Sequence, residues 1–467
     1  MKELRRNMRF VGTLVVILFV GLAAWFAMTV FTQGSVWASD VRNSRLRATA
    51  SLRGDITDRD GNLLATTAED GTRQYTKNTT ARRALSQTVG DTAGMSTGIE
   101  TFYSATLLDI STGLIGRLNE LFSSAKHVGG SIQITVDGPL QAWIASEFPA
   151  GYRGAVCVIN YKTGEILAMV SMPNYDPYDL AVRSDTQVED TAYLNRCLQG
   201  LYTPGSVFKI ITLASAITND VNVLDQAFSC SGAWEYEGGR IVCAGNTAHG
   251  TVNLKTAFKR SCNVTFGKLA YQLGLERLRQ TAERFGFNEN FKFGDFVVYN
   301  SAFPTDVSNM NGLVWAGIGQ GEVLVTPLHM AMITGTIANG GVMMKPWLIQ
   351  RIRSSMGKTT ATGAPAAYRQ VLSESVASKI AEYMYETVQS GTATRAAIKG
   401  YTVGGKTGSA EVSNDKTVET NAWFTGFIYD EAHPYAISVV IEGGGAGARM
   451  PSELAAKALK KAIEYVG

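Results

Sequence analysis

Net charge, histidine and cysteine are all scarce in this chain. Its 467 residues carry 43 Lys and Arg against 40 Asp and Glu, a formal net charge of +3. So small an excess gives no reason to expect nucleic acid as a partner. The four histidines (His127, His249, His329, His433) are scattered, and the five cysteines (Cys157, Cys197, Cys230, Cys243, Cys262) contain no Cys-x-x-Cys pair. That spacing lacks a zinc signature, so neither a metal nor a cofactor is expected. Cys230 and Cys243 flank a Gly-rich stretch, Ser231 to Gly239, and can pair as a disulfide. Five buried thiols are the other reading, and sequence leaves both open. No internal repeat is visible.

Long charge-free apolar runs are missing too, with one exception. Phe10 to Val30 is 21 residues without a charge, preceded by Lys2, Arg5, Arg6 and Arg9. About 20 apolar residues cross the hydrocarbon layer, and basic residues stay inside. The run predicts a single transmembrane helix with its N-terminus cytoplasmic and everything after Gln33 exported. A cleavable signal peptide, cut near Val36-Trp37-Ala38, is the alternative. Its hydrophobic region would be only about 7–15 residues, so the length favours an uncleaved anchor.

Hydrophobic content of 45% suffices for a substantial core. Thr32 to about Gly130 is polar and weakly patterned. Within it, Arg53 to Ala65 reads as strand, Asp-Gly turn, strand, and parts of 68–93 are expected to be mobile. Ser131 to Val136 alternates like a strand, and Asp137 is placed to cap a helix over Pro139–Phe148. Gly154–Ile159 with Glu165–Val170, and Ala422–Ile428 with Tyr435–Ile441, read as two hairpins. Helical stretches lie between them, Ser354–Ala367 reads as a surface loop, and Ser452–Val466 reads as a closing helix. Strands, then helices, then strands predict an α+β domain with one antiparallel sheet. The expected division is a cytoplasmic tail (1–9), a transmembrane helix (10–31), a non-catalytic pedestal (32–135) and a catalytic domain (136–467).

Three short motifs follow in a fixed order: Ser206-Val-Phe-Lys209, Ser261-Cys-Asn263 and Lys406-Thr-Gly-Ser409. Alone, each has a bland reading. Ser206 can be a helix N-cap, Ser261-Cys-Asn263 a break between two helices, and Lys-Thr-Gly a turn. Together they supply the parts for acyl transfer by an active-site serine. Lys209 lies on the same helical face as Ser206. If desolvated, its neutral amine can take the Ser206 proton. Ser261 can relay a proton to a leaving amine, and Asn263 can hold the lysine and donate to a substrate carbonyl. Lys406 can disfavour a second charge on Lys209 while anchoring an anion. Thr407 and Ser409 can bind a carboxylate, Gly408 permits close backbone approach, and the N–H groups of Ser206 and Ser409 can form an oxyanion hole.

The chain resembles the class B penicillin-binding proteins, the single-span transpeptidases of bacterial peptidoglycan synthesis. The likeness runs from Arg53 to the C-terminus. It includes Arg53-Gly-Asp-Ile-Thr-Asp-Arg-Asp-Gly61, Ala155 to Pro177, Asn195-Arg196, Pro204 to Lys209, His249-Gly250, Ser261-Cys-Asn263, Gly319-Gln-Gly-Glu322 with Thr326-Pro327, and Lys406 to Ser409. The resemblance implies a five-stranded antiparallel sheet flanked by helices plus an all-helical lobe. It implies cross-linking of peptidoglycan stem peptides through a Ser206 acyl-enzyme, with release of terminal D-alanine, and covalent capture of β-lactam antibiotics. Catalytic roles would fall to Ser206, Lys209, Ser261, Asn263 and Lys406, and substrate binding to Thr407, Gly408 and Ser409. Val207 and Ser409 stand where many relatives have Thr. The segment before the catalytic domain is short, close to a small-pedestal subgroup, and too short for a glycosyltransferase. A SEDS-type membrane glycosyltransferase is therefore the implied partner. A D,D-carboxypeptidase, a serine β-lactamase and a non-enzymatic β-lactam sensor share parts of this pattern. The β-lactamase needs a glutamate after the Ser-x-Asn motif, whereas Glu189 precedes Ser206. The sensor needs cytoplasmic machinery, and nine residues precede Phe10.

Overall fold

A computed structural model describes residues 2–38, 52–108, 128–179, 190–294, 296–307, 309–411, 419–445 and 449–466. The apolar run lies within helix α1 (Lys2–Ala38). Its described large side chains are exposed, Phe10 at 67% and Trp25 at 64% among them. Among the described residues no helix is long and apolar enough to cross a membrane. The continuous stretch of α1 whose side chains are described runs from 10 to 26 and stops short of Val30.

Beyond α1, a small mixed sheet forms from β1 (Ile56–Thr57), β2 (Leu63–Thr67), β3 (Arg73–Tyr75) and β4 (Ser131–Ile134). The expected Asp-Gly turn is there. Buried Asp58 accepts hydrogen bonds from the backbone of Asp60 (3.0 Å) and Asn62 (2.8 Å). Gly54 is required by packing, because a Cβ would meet the Gly130 carbonyl at 2.0 Å. Glu100, fully buried, takes Arg53 at 2.8 Å and Arg73 at 2.6 Å. The segment 68–93, expected to be mobile in parts, forms β3 and two short helices. Leu85 and Val89 pack it into the larger core, and polar anchors add to them. Arg82 grips Asp176 with two bonds (2.9 and 2.6 Å), and Gln87 donates to the carbonyls of Pro173 and Ala192.

Asp137 caps α2 (Gly138–Glu147) through the Leu140 N–H at 2.6 Å. Strands β5 (Arg153–Asn160) and β6 (Ile166–Met172) make the first expected hairpin. A 3-10 turn, Gly205–Phe208, then leads into α3 (Lys209–Asn219). Two small ribbons follow. One pairs β7 (Ala227–Cys230) with β10 (Gly250–Asn253), and between them β8 (Ala233–Tyr236) pairs with β9 (Gly239–Val242). Helices α4 (Leu254–Lys259), α5 (Asn263–Arg284) and α6 (Pro327–Ala338) complete the helical region.

Strands β11 (Ile349–Arg353) and β12 (Thr359–Thr362) join the small sheet, in the order β12-β11-β4-β1-β2-β3. The loop expected over Ser354–Ala367 is thus partly strand. Thr359-Thr-Ala-Thr362 is exposed at every position, so no alternation marks it, and backbone pairing with β11 defines it. Helix α7 (Glu374–Ser390) precedes β13 (Val403–Ala410), the second hairpin β14 (Asn421–Ile428) and β15 (Tyr435–Glu442), and the closing helix α8 (Arg449–Val466).

The expected five-stranded antiparallel sheet has the order β13-β14-β15-β5-β6. Both faces are covered. Ala155, Cys157 and Ile159 of β5 join the larger core with α3 and α6, while Val156 and Val158 point to the other core with α2 and α8. A sheet buried on both sides needs near-continuous apolar strands, which β14 and β15 supply. All five cysteines are free and buried. The Cys230 and Cys243 sulfurs are 3.6 Å apart, where a disulfide needs about 2.05 Å, so the thiol reading holds. Residues scattered in the sequence are brought together by the fold: Cys230, Cys243, His249 and Cys262 meet in one cluster.

Candidate active site

Ser206 lies on the 3-10 turn just before α3. Gly205 has φ +57°, open to glycine at little cost. A Cβ there would meet the Ser409 carbonyl at 2.5 Å, and one on Gly319 would meet the Gly205 carbonyl at 2.2 Å. Two glycines therefore let the turn sit between β13 and the Gly319 loop, held by the Gly205 N–H donating to Gly319 O at 2.8 Å. Behind it, Phe208 stacks on Phe303 at 5.5 Å. The N-cap role for Ser206 is not what is seen. The helix begins at Lys209, and its cap position is Phe208, with no side-chain cap bond. Ser206 is half-buried, and its hydroxyl has no hydrogen-bond partner among the described residues.

One turn on, Lys209 is fully buried. Its amine contacts Ser261 O (2.7 Å), Asn263 Oδ1 (2.7 Å) and Ser261 Oγ (3.2 Å). The break between α4 and α5 supplies these partners. Ser261 adopts φ +57°, a left-handed conformation uncommon outside glycine. Cys262 then caps α5, and the Asn263 amide is fixed by donating to Val242 O at 2.8 Å. Ser261 and Asn263 interrupt an otherwise helical stretch, and that interruption holds the Lys209 amine.

Lys406 approaches from the edge strand β13. It too is fully buried, and its amine donates to Ser261 Oγ and Thr407 O, both at 3.0 Å. Ser261 Oγ thus bridges the two lysines. Rings lie near both amines, Phe266 at 5.5 Å from Lys209 and Phe258 at 5.6 Å from Lys406. Burial pushes the Lys209 amine down to about 7. Burial, and then Lys209 itself, push Lys406 well below the usual lysine range. Lys406 as a standing cation is therefore not what these surroundings favour. Two ammonium groups bridged by one hydroxyl, away from water, hold at most one charge between them.

The other expected residues lie along β13. Thr407 shares a hydrogen bond with Thr392 Oγ1 at 2.7 Å. A Cβ on Gly408 would come within 2.9 Å of the Pro204 carbonyl. Ser409 pairs with Ala422 in register, and its carbonyl accepts from Gln320 Nε2 at 3.5 Å. The geometry joins Lys209, Ser261, Asn263 and Lys406 directly, with Ser206 and residues 407–409 alongside. Sequence reasoning missed Thr392, which lies in a loop without a pattern. Gln320 was within a quoted motif but had no role. A cavity of about 620 Å³ lined by Lys162, Asn339, Glu374, Tyr385 and Tyr429 contains none of these residues.

Comparison with known proteins agrees with this arrangement. The family profile described as the penicillin binding protein transpeptidase domain matches residues 154–464. The peptidoglycan D,D-transpeptidase PbpA of Mycolicibacterium smegmatis is 31% identical, over 94% of each chain. The crystal structure of PBPA from Mycobacterium tuberculosis superposes with a TM-score of 0.81 at 27% identity, covering 89% of this chain and all of that one. The penicillin G acyl-enzyme complex of the same mycobacterial protein gives 0.79 at 28%, over 89% of this chain and 99% of that one. A serine, two buried lysines and a Ser-x-Asn turn on a transpeptidase fold thus coincide with similarity along nearly the whole chain, and the protein belongs to the penicillin-binding-protein transpeptidase family, as a class B, PbpA-like member.

Proposed function

We propose that the protein is a peptidoglycan D,D-transpeptidase whose nucleophile is Ser206. The observation that carries this reading is the hydrogen-bonded set Lys209–Ser261–Asn263–Lys406 behind an unpaired serine hydroxyl. Ser206 Oγ attacks the penultimate D-alanine carbonyl as its proton passes to the neutral Lys209 amine. Backbone N–H groups of Ser206 and Ser409 take the oxyanion; one such donor is worth about 3–4 kcal/mol in the barrier. The tetrahedral intermediate collapses with cleavage of the D-Ala–D-Ala amide. Ser261 gives its proton to the leaving amine and regains one from the lysine pair. An amine of a second stem peptide then attacks the ester, loses a proton to Lys209 and displaces Ser206. Thr407 and Ser409 receive the terminal carboxylate with Lys406, which becomes the charged lysine once that anion arrives. A β-lactam offers the same carbonyl beside the same carboxylate, and the acyl-enzyme structures of the mycobacterial relative support that extension.

The reading extends to placement. A helix apolar on every face is at home in a core or in a membrane, and the described side chains of α1 are exposed. At 1.5 Å per residue, residues 10–30 reach about 30 Å, the thickness of the hydrocarbon layer. We read α1 as a single membrane anchor over 10–31 with residues 1–9 cytoplasmic, 32–135 as a pedestal, and 136–467 as an extracytoplasmic catalytic domain. A SEDS-type glycosyltransferase is the proposed partner.

The test supplies the full chain with a pentapeptide donor and an amine acceptor. Cross-linked dimer with stoichiometric D-alanine release is the expected product. Tetrapeptide alone would make it a D,D-carboxypeptidase, and rapid hydrolysis of penicillin would make it a β-lactamase.

A further inference from the structure

His249-Gly250 belongs to no part of the mechanism above, and neither do the cysteines. Yet the fold gathers His249 and three of the cysteines beside the relay. Cys230 ends β7, Cys243 follows β9, His249 precedes β10, and Cys262 is the middle residue of Ser261-Cys-Asn263. Their donor atoms all lie within 4.8 Å of one another. We propose that Cys230, Cys243, His249 and Cys262 form a structural site for a zinc-class divalent cation, and that this site fixes the turn carrying Ser261 and Asn263.

Three of the six donor–donor distances match the edges that a shared ion would set. A tetrahedral zinc with Zn–S near 2.3 Å and Zn–N near 2.05 Å sets S···S edges of about 3.8 Å and S···N edges of about 3.6 Å. Of the six edges, three stand at 3.6 Å (Cys230–Cys243), 3.7 Å (Cys243–Cys262) and 3.4 Å (Cys230 to His249 Nδ1), and all six lie within 4.8 Å. Three thiolates and an imidazole select a soft or borderline ion over magnesium or calcium. Four protein ligands leave no open position, which makes the site structural rather than catalytic. The surrounding shell fits as well. Cys262 Sγ accepts from the Thr265 N–H (3.4 Å) and from Thr265 Oγ1 (3.2 Å), the outer-sphere support a thiolate ligand needs. The ligands come from two short ribbons and a helix cap. These elements are packed into the larger core through Phe228, Ile241 and Val252, and a metal would tie their ends to one another.

The consequence for the relay rests on the catalytic reading above; the binding of metal does not. Cys262 lies between the left-handed Ser261 and Asn263, and the Asn263 amide bonds Val242, next to Cys243. Fixing Cys243 and Cys262 to one ion therefore fixes the partners of Lys209.

The experiment measures metal in full-length protein purified in detergent under reducing conditions without added chelator. One zinc per chain is expected in wild type and in His433→Ala, with less than a tenth of that in Cys230→Ser and His249→Ala. Because those variants can misfold, wild type is also stripped with a chelator and titrated with cobalt(II). One equivalent with thiolate-to-cobalt charge-transfer absorption and tetrahedral d–d bands supports the site. No stoichiometric metal and no such absorption overturn it, whether mass spectrometry then finds four free ligands or a Cys230–Cys243 disulfide. Stripping should slow penicillin acylation by about 10- to 100-fold, reversed by zinc. One zinc per chain with an unchanged acylation rate would overturn the link to the relay. Penicillin acylation elsewhere than Ser206 would instead indict the catalytic reading.

Discussion

Ser206 can attack only if the buried amine that takes its proton is uncharged, and burial favours that form of Lys209. Of its three contacts, Lys209 gives two to oxygens that cannot donate back, Ser261 O and Asn263 Oδ1, while the third, Ser261 Oγ, can itself donate. A neutral amine has two N–H groups for those acceptors and keeps a lone pair for the serine proton. Burial brings this amine to about 7. The second-order rate of acylation by benzylpenicillin should therefore rise about tenfold per pH unit below that value and level off above it. Stopped-flow rates that stay flat from acid to alkaline pH would exclude Lys209 as the base. Lys209→Arg keeps a permanent charge and should lower the same rate by about 10²- to 10⁴-fold, with folding checked by circular dichroism. These residues were legible in the sequence because the chemistry is written locally. Ser206 and Lys209 are three apart, and Ser261 and Asn263 interrupt a helical pattern. Thr392 was not, since its partner Thr407 meets it only through the packing of the α7–β13 loop.

Among elements, the five-stranded sheet was readable where strands are apolar and hidden where they are not. The hairpins β5–β6 and β14–β15 follow from long buried runs bounded by turn residues. The edge strand β13 is Val-Gly-Gly-Lys-Thr-Gly-Ser-Ala, with three glycines that lower strand propensity, and only pairing with β14 makes it a strand. Strand β12 escaped for the related reason that all four of its residues face water. The small sheet buries Ile56, Leu64, Ile132 and Ile134 in the larger core and adds a charge cluster around Glu100. Glu100→Ala would leave the Arg53 and Arg73 guanidinium groups facing each other without a counter-ion. It should destabilise that region by about 3–5 kcal/mol, read as a lower urea midpoint for its unfolding and faster proteolysis within 52–108. A midpoint equal to wild type would mean that Arg53 and Arg73 reach water without Glu100.

For the whole molecule, acid should be more damaging than alkali. His329 is fully buried, bridged between Ser301 Oγ (2.7 Å) and Phe285 O (2.8 Å), and burial pushes its pKa down to about 4. The unfolded chain takes a proton near 6.5, the folded chain only near 4. The stabilisation is complete above 6.5 and is lost as pH falls through 4, about 3 kcal/mol in all. Unfolding midpoints of the detergent-solubilised protein should fall across that window. His329→Gln should start lower at neutral pH and fall less steeply, whereas equal slopes would assign the acid sensitivity elsewhere. If α1 is the anchor proposed, deletion of residues 1–31 should move the protein from the membrane fraction to the soluble fraction with its acylation rate kept. Length and an uncharged run made that helix legible, while the meeting of Cys230, Cys243, His249 and Cys262 was not, because four separate segments build it.

The central claim, that Ser206 is activated by Lys209, is tested most directly by peptide mapping after brief exposure of the full chain to benzylpenicillin at neutral pH. The prediction is one acyl group on the peptide containing Ser206, absent in Ser206→Ala and formed about 10²- to 10⁴-fold more slowly in folded Lys209→Ala. An acyl group on another residue, or a Lys209→Ala variant that acylates at the wild-type rate, would contradict it.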